Sequence, residues 1–328
     1  MLPERRNTVP SFNEVTFDCI VKRASASLDS IAPIDGPRRS ATDRATTFAL
    51  EMKPRIEIAP ASRALISRNA PRSISVHPGS ISWHEFHSAQ PDASARFLSE
   101  ILEGDVITRS RGEASEYTTV MSQGLHVAGG VHLDVDEAPH WSTYLRVPNV
   151  DVVCELALEC GGSVRHEPSG ILGLDRRAVI SDPTGATLTV ISGGDDRRTI
   201  GSGSLGWDEL RSTEPMVSVR FWCSLFDWTA SPLPNGRDTQ TMVFVNGGRA
   251  VASLEKTTAT ERESRWLPIA TVHRENFNAT LQRAMRAGAS MRVPPSAHAV
   301  LSNIAIMVDR RGIEVAIGAE PTSRILAA

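Results

Sequence analysis

The chain has 328 residues, 41% of them hydrophobic and 22% charged, with a formal net charge of −3. That length holds about two ordinary domains, and the near-neutral balance excludes a nucleic-acid or anionic-membrane partner recruited by bulk charge. No apolar run approaches the roughly 18 residues needed to cross a bilayer, and the four cysteines (Cys19, Cys154, Cys160, Cys223) are scattered without a CxxC, which points to free thiols in the cytoplasm and not to a disulfide framework or zinc site.

Residues 1–80 are rich in Ser, Arg, Pro and Ala and hold no sustained period, the composition of a poorly ordered extension. Arg5-Arg6 lacks the apolar stretch an export signal requires, and Met52 is a candidate initiator. Ile81–Ser88 then reads as a strand, and Pro91–Leu102 as a helix with proline in its first turn and an apolar stripe at Ala95, Phe97, Leu98 and Ile101. Strands follow near 118–121 and 125–133. A second cycle has a strand over 141–147, a helix over 150–160 stopped by Gly161-Gly162, and strands near 163–166, 178–181 and 186–191. Asp182-Pro183-Thr184-Gly185 is a turn with glycine free to take positive φ.

From Ile81 onward the chain repeats itself. Residues 83–97 (WHEFHSAQPDASARF) and 207–221 (WDELRSTEPMVSVRF) share seven of fifteen positions at a constant shift of 124, among them Trp83/Trp207, Glu85/Glu209, Ser94/Ser218 and Phe97/Phe221. The shift grows to 127 at Asp182/Asp309, so the period is that of a whole domain. The division is an extension at 1–80, a first module at 81–193, a linker at 194–202, a second module at 203–320 and a tail at 321–328. Each module contains two βαβββ units.

W-x-E-x-x-S, a helix ending F-L-S-E-I-L, then H-W-x-x-Y-L-x-V, C-G-G-S-V and D-P-T-G-A-T-L-T-V-I resemble the vicinal oxygen chelate superfamily. That superfamily includes glyoxalase I, bleomycin-resistance proteins and extradiol dioxygenases. The nearer resemblance is to its two-module actinobacterial glyoxalase-like branch, over residues 81–320. It implies an α+β fold of tandem modules, each an incomplete eight-stranded barrel whose cup binds a small molecule. It also implies where metal-bearing members keep their ligands: Trp83, Ser142 and Thr189 in the first module, and Trp207, Leu267 and Ala316 in the second. None is a ligand for a divalent ion. A further position within 127–132 is open to His132, but one histidine holds no metal, so no cofactor is expected. A divalent metal at some other site stays an open alternative.

Strand alternation places Trp83, Glu85 and His87 on one face, and Trp207, Glu209 and Arg211 on its counterpart. Indole neighbours penalise a carboxylate's charged form, a condition under which it serves as general acid or base. In that reading Glu85 and His87 are catalytic. In the structural reading Glu85 pairs with Arg146 or ties strands together. Trp141 and Trp266 open the fifth strand of each module and either stack on a flat ligand or pack between the barrel halves. Ser142 and Tyr144 supply hydroxyls where the second copy has Leu267 and Ile269. This asymmetry makes the first module the functional one, with Glu209→Ala expected to cost little beyond some stability. The function read from the chain is binding of a small aromatic or hydrophobic molecule, with a lyase, isomerase or oxygenase using Glu85 and His87 as the alternative. The partner is a small-molecule ligand; nucleic acid and membrane are not expected, and a homodimer is left open.

Overall fold

The computed structural model describes residues 72–75, 77–110, 116–134, 136–170, 175–193, 197–233, 241–258 and 261–320. The extension expected over 1–80 lies outside them as far as residue 71, as does the tail at 321–328.

After β1 (Arg72–Ser75), the first module runs β2 (Ile81–Ser88), α1 (Pro91–Leu102), β3 (Asp105–Ser110), β4 (Glu116–Ser122), β5 (Leu125–His132), β6 (His140–Arg146), α2 (Val150–Glu159), β7 (Ser163–Ser169), β8 (Asp175–Ser181) and β9 (Thr187–Gly193). β10 (Arg197–Ile200) leads to the second module: β11 (Ser204–Ser212), α3 (Pro215–Phe226), β12 (Thr229–Pro232), β13 (Met242–Asn246), β14 (Arg249–Lys256), β15 (Arg265–Val272), α4 (Phe277–Arg286), β16 (Ser290–Ala297), β17 (Asn303–Val308) and β18 (Glu314–Ala319). The sheets have orders β3-β4-β5-β2-β6-β9-β8-β7 and β12-β13-β14-β11-β15-β18-β17-β16. Neither closes on itself. Each is an open barrel of two βαβββ units joined antiparallel at its centre, through β2–β6 and β11–β15.

Local chemistry sets these elements. Pro91 occupies the first turn of α1, where its missing N–H costs nothing, and Glu103 ends the helix in the left-handed region at φ 54°. Asn149 caps α2, its side chain accepting from the amides of Asp151 and Val152 at 3.0 and 3.3 Å, a cap worth about 1 kcal/mol. In β2, Ser82, His84, Phe86 and Ser88 are buried under the helices, while Trp83, Glu85 and His87 face the cup half-buried. The sequence reading does not place β3. It is a short edge strand in which Val106 and Ile107 are the only apolar residues, too few to carry an alternating signal.

The cores beneath the helices are shared between the modules. One buried cluster joins the second unit of the first module (Leu145, Val150, Leu188, Val190) to the first unit of the second (Phe221, Trp222, Phe244, Leu254). Another joins Phe86, Leu98, Ile101 and Val120 to Leu281, Met307 and Ile317. α1 packs on α4, and α2 on α3. The bonding is reciprocal: Ser94 donates to Asp309 at 2.8 Å and Ser218 to Asp182 at 2.7 Å. On the same joint His84 bonds Asp208 at 2.7 Å, two residues at the same position of the two copies.

The expected boundaries shift here. β1 pairs antiparallel with β10, so the ordered fold reaches back into the supposed extension and the 194–202 linker contains a strand. From β10, Arg198 bonds the Leu205 carbonyl at 3.0 Å and Asp208 at 2.6 Å. A chain beginning at Val76 therefore lacks one strand of this ribbon and should melt below one beginning at residue 72, by thermal denaturation.

Candidate ligand site

Cross-strand register assembles the first cup. Glu85 lies opposite Ser142 on β6 and Gly129 on β5, Trp83 opposite Tyr144, and His87 opposite His140. β4 adds Tyr117. Tyr117 donates to Glu85 Oε1 at 2.7 Å, and Tyr144 donates to Glu85 Oε2. Trp83 Nε1 donates to the Tyr117 oxygen at 3.2 Å. The whole chain has two tyrosines, and both converge on this carboxylate. Burial, then the Glu85 charge, pushes the Tyr144 phenol well above its ordinary pKa, so it stays a donor. Ser142 shares a 3.0 Å hydrogen bond with His87 Nε2. Burial and the neighbouring His140 hold the His87 pKa below that of a free imidazole. Arg146 reaches the Gly193 carbonyl at 2.8 Å.

Gly129 makes this floor possible. A Cβ there would lie 2.0 Å from the Tyr117 oxygen and 3.1 Å from Glu85 Cγ. Gly129→Ala should therefore evict the Tyr117 hydroxyl from Glu85. We expect a wild-type-like fold by circular dichroism, with the exposure of Trp83 to a soluble fluorescence quencher increased.

The second cup is built differently. Glu209 is 0% exposed, bonded to Arg211 at 2.9 Å, His298 at 2.6 Å and Ser253 at 3.3 Å. Arg211 also bridges Glu261 with two bonds of 2.9 and 2.8 Å, while Trp207 Nε1 donates to Ser253. Val300 and Leu301, from the loop between β16 and β17, pack with Trp207, Leu267, Ile269 and Ile304. Leu301 Cδ1 sits only 2.4 Å from where a Cβ of Gly318 would be. The chain fills this cup with itself, and Glu209 and Arg211, expected to bind ligand, are its internal struts. Burial opposes the Glu261 charge, but the Arg211 bridge and the Thr258 amide prevail and hold its pKa at about 2. A depressed carboxylate pKa gives stability that is present above the unfolded value and lost as pH falls through the folded one. Glu261→Gln should thus melt below wild type at pH 7, and the gap should close between about pH 4.5 and 2.

Other expectations are corrected by the pairing. Trp141 lies opposite Phe86 on the helix side of the sheet, stacks edge-on against it and donates to the Glu314 carbonyl of the other module at 2.6 Å. Trp266 is buried against Trp222, Trp228 and Phe244. Trp141 packs between modules and Trp266 lies in the core cluster beneath the helices, so neither lines a cup. His132 lies opposite Ser88, on the helix side and away from Glu85. The positions implied for the superfamily metal, Trp83, Ser142 and Thr189 with Trp207, Leu267 and Ala316, carry indoles, hydroxyls and hydrocarbon. They do not fit a divalent ion. Sequence reading missed Tyr117 and His298, although the rarity of tyrosine was a usable signal for the first.

No family model matches the chain. It is 26% identical over 238 residues to the anthracycline biosynthesis protein DauV of Streptomyces sp. strain C5, covering 66% of this chain and 85% of that protein. It superposes on the Mn(II)-bound glyoxalase from Novosphingobium aromaticivorans with TM-score 0.52 at 14% identity, over 76% of this chain and 84% of that one. The 2,3-dioxygenase LapB from Pseudomonas sp. KL28 gives 0.53 at 7% identity, over 76% and 94%. These structural likenesses concern the fold. Among the described residues no helix is long and apolar enough to cross a membrane.

Proposed function

We propose that this chain, a tandem-module protein of the vicinal oxygen chelate superfamily, binds a small aromatic or hydrophobic molecule in the cup of its first module. The convergence of both tyrosines on Glu85 carries this reading. A small-molecule site wants a few fixed polar groups on an apolar ground. Trp83, Tyr117 and Glu85, half-buried, form such a linked set with the buried Tyr144, where the second module holds a filled core. The likeness to a protein named for anthracycline biosynthesis favours a flat polycyclic aromatic as the occupant. Catalysis by Glu85 is less well supported. Each of its oxygens already accepts a hydrogen bond from one of the chain's own tyrosines, which gives the carboxylate a role in holding the floor together.

The test is a titration of the full chain with hydroxylated polycyclic aromatics, such as anthraquinones, followed by quenching of protein fluorescence. Losing a charge-assisted hydrogen bond costs about 1.5–3 kcal/mol, so Glu85→Ala should weaken binding by about 10- to 100-fold. Tyr144→Phe, which keeps the ring, should weaken it several-fold. Unchanged affinity in both variants, each folded, would place the ligand elsewhere.

A further inference from the structure

At the rim of the same cup lies a cluster that the floor does not use. His87 at the end of β2 and His140 at the start of β6 are direct cross-strand neighbours. Their rings stack at 4.3 Å with planes 13° apart. Glu137, in the turn leading into β6, completes the group, and one donor atom from each residue lies within 4.8 Å of the others. We propose that His87, Glu137 and His140 form a divalent-metal site at the rim of the first cup. It takes a borderline ion of the Zn²⁺, Co²⁺ or Ni²⁺ type, and it is distinct from the superfamily positions at Trp83, Ser142 and Thr189.

The hydrogen bonds prepare the ligands. His140 Nδ1 is 2.9 Å from the Ala138 carbonyl, which only accepts, so this nitrogen carries the proton and Nε2 presents its lone pair. His87 Nε2 is engaged by Ser142 at 3.0 Å, which leaves Nδ1 to coordinate. A metal-bound histidine typically has its second ring nitrogen held by an oxygen in this way. Two imidazoles and a carboxylate suit an ion of intermediate softness and leave a coordination position for water. Bonds of about 2.1 Å in a tetrahedral site bring donor atoms to about 3.4 Å from one another. The cluster must therefore contract and the rings tilt out of their stack. Glu137 and His140 are both exposed and on the turn or strand end, where that movement meets no packed core.

Glu209, Glu255 and His298 form a second such trio in the other module, and it provides the contrast. Arg211 lies 2.9 Å from Glu209 and 3.7 Å from Glu255, so a guanidinium already supplies the positive charge there. Only the rim trio of the first cup lacks a cation of its own among the bonds described for it.

The test uses the full chain, stripped with a chelator and titrated with Zn²⁺ by calorimetry and with Co²⁺ by visible absorption. No organic molecule is present, so the outcome is independent of the ligand proposed above. One saturable site is expected, with Co²⁺ giving the ligand-field bands of a low-symmetry nitrogen–oxygen site. His140→Ala and Glu137→Gln, both at exposed positions, should each weaken it at least about tenfold. Glu255→Gln should leave it unchanged. Absence of a saturable site, or equal affinity in wild type and His140→Ala, overturns the proposal. Loss in Glu255→Gln with retention in His140→Ala would assign the ion to the second cup and overturn it equally.

Discussion

Glu209→Ala lowers the stability of the whole chain by about 3–5 kcal/mol, read as a shift of the urea midpoint. That is the usual result of removing one partner from a buried ion pair. Glu209 is fully buried and holds Arg211 and His298 together. The Glu209 charge raises the His298 pKa against the opposing effect of burial. Deleting the carboxylate leaves the His298 Nε2 without its partner beneath Val300 and Leu301, and leaves Arg211 held by Glu261 alone among its close bonds. The sequence reading makes the second module mainly a structural partner and expects some loss of stability at Glu209. Its environment makes that loss large. Glu85→Ala, by contrast, removes a half-buried carboxylate from two neutral phenols and should cost well under half as much. A near-equal loss from the two variants would mean that the first floor is also structural packing.

The second large effect comes from cutting the chain between modules. A fragment spanning 72–193 should show no cooperative unfolding transition, and mixing it with 194–320 should restore one. The two core clusters beneath the helices draw residues from both modules, so either fragment alone exposes the apolar faces of both its helices. Trp222→Ala tests the same joint in the intact chain. Trp222 is fully buried against Phe221, Phe226 and Trp266, and such a truncation costs about 3–5 kcal/mol. A fragment that melts cooperatively by itself would show that the modules are separable domains.

Much of this was legible in the chain. The 124-residue shift exposed the duplication, and alternation along β2 correctly set Trp83, Glu85 and His87 on one face. The same rule, applied to β6, would have removed Trp141 from the cup: Ser142 and Tyr144 face Glu85, so their neighbour Trp141 cannot. Tyr117 was hidden for another reason. It reaches Glu85 through the pairing of β4 to β5 and of β5 to β2, which no local pattern reports. His298 was hidden likewise, since a loop that folds back into its own sheet leaves no period. β1 and β10 escaped because four-residue strands carry almost no alternation.

The meeting of His84 and Asp208 bears on how two copies in one chain came to differ. In a two-fold assembly of identical subunits, a residue on the axis faces itself, so that place can hold imidazole against imidazole or carboxylate against carboxylate, never one of each. Here the same position carries an imidazole in one copy and a carboxylate in the other, bonded at 2.7 Å, with Arg198 from the connecting segment adding a guanidinium at 2.6 Å. Such a pair is closed to identical subunits and open to these joined copies, whose two versions of one position can differ. Halves that cannot exchange places need not match, and here one cup is filled with its own side chains while the other holds a carboxylate and two phenols.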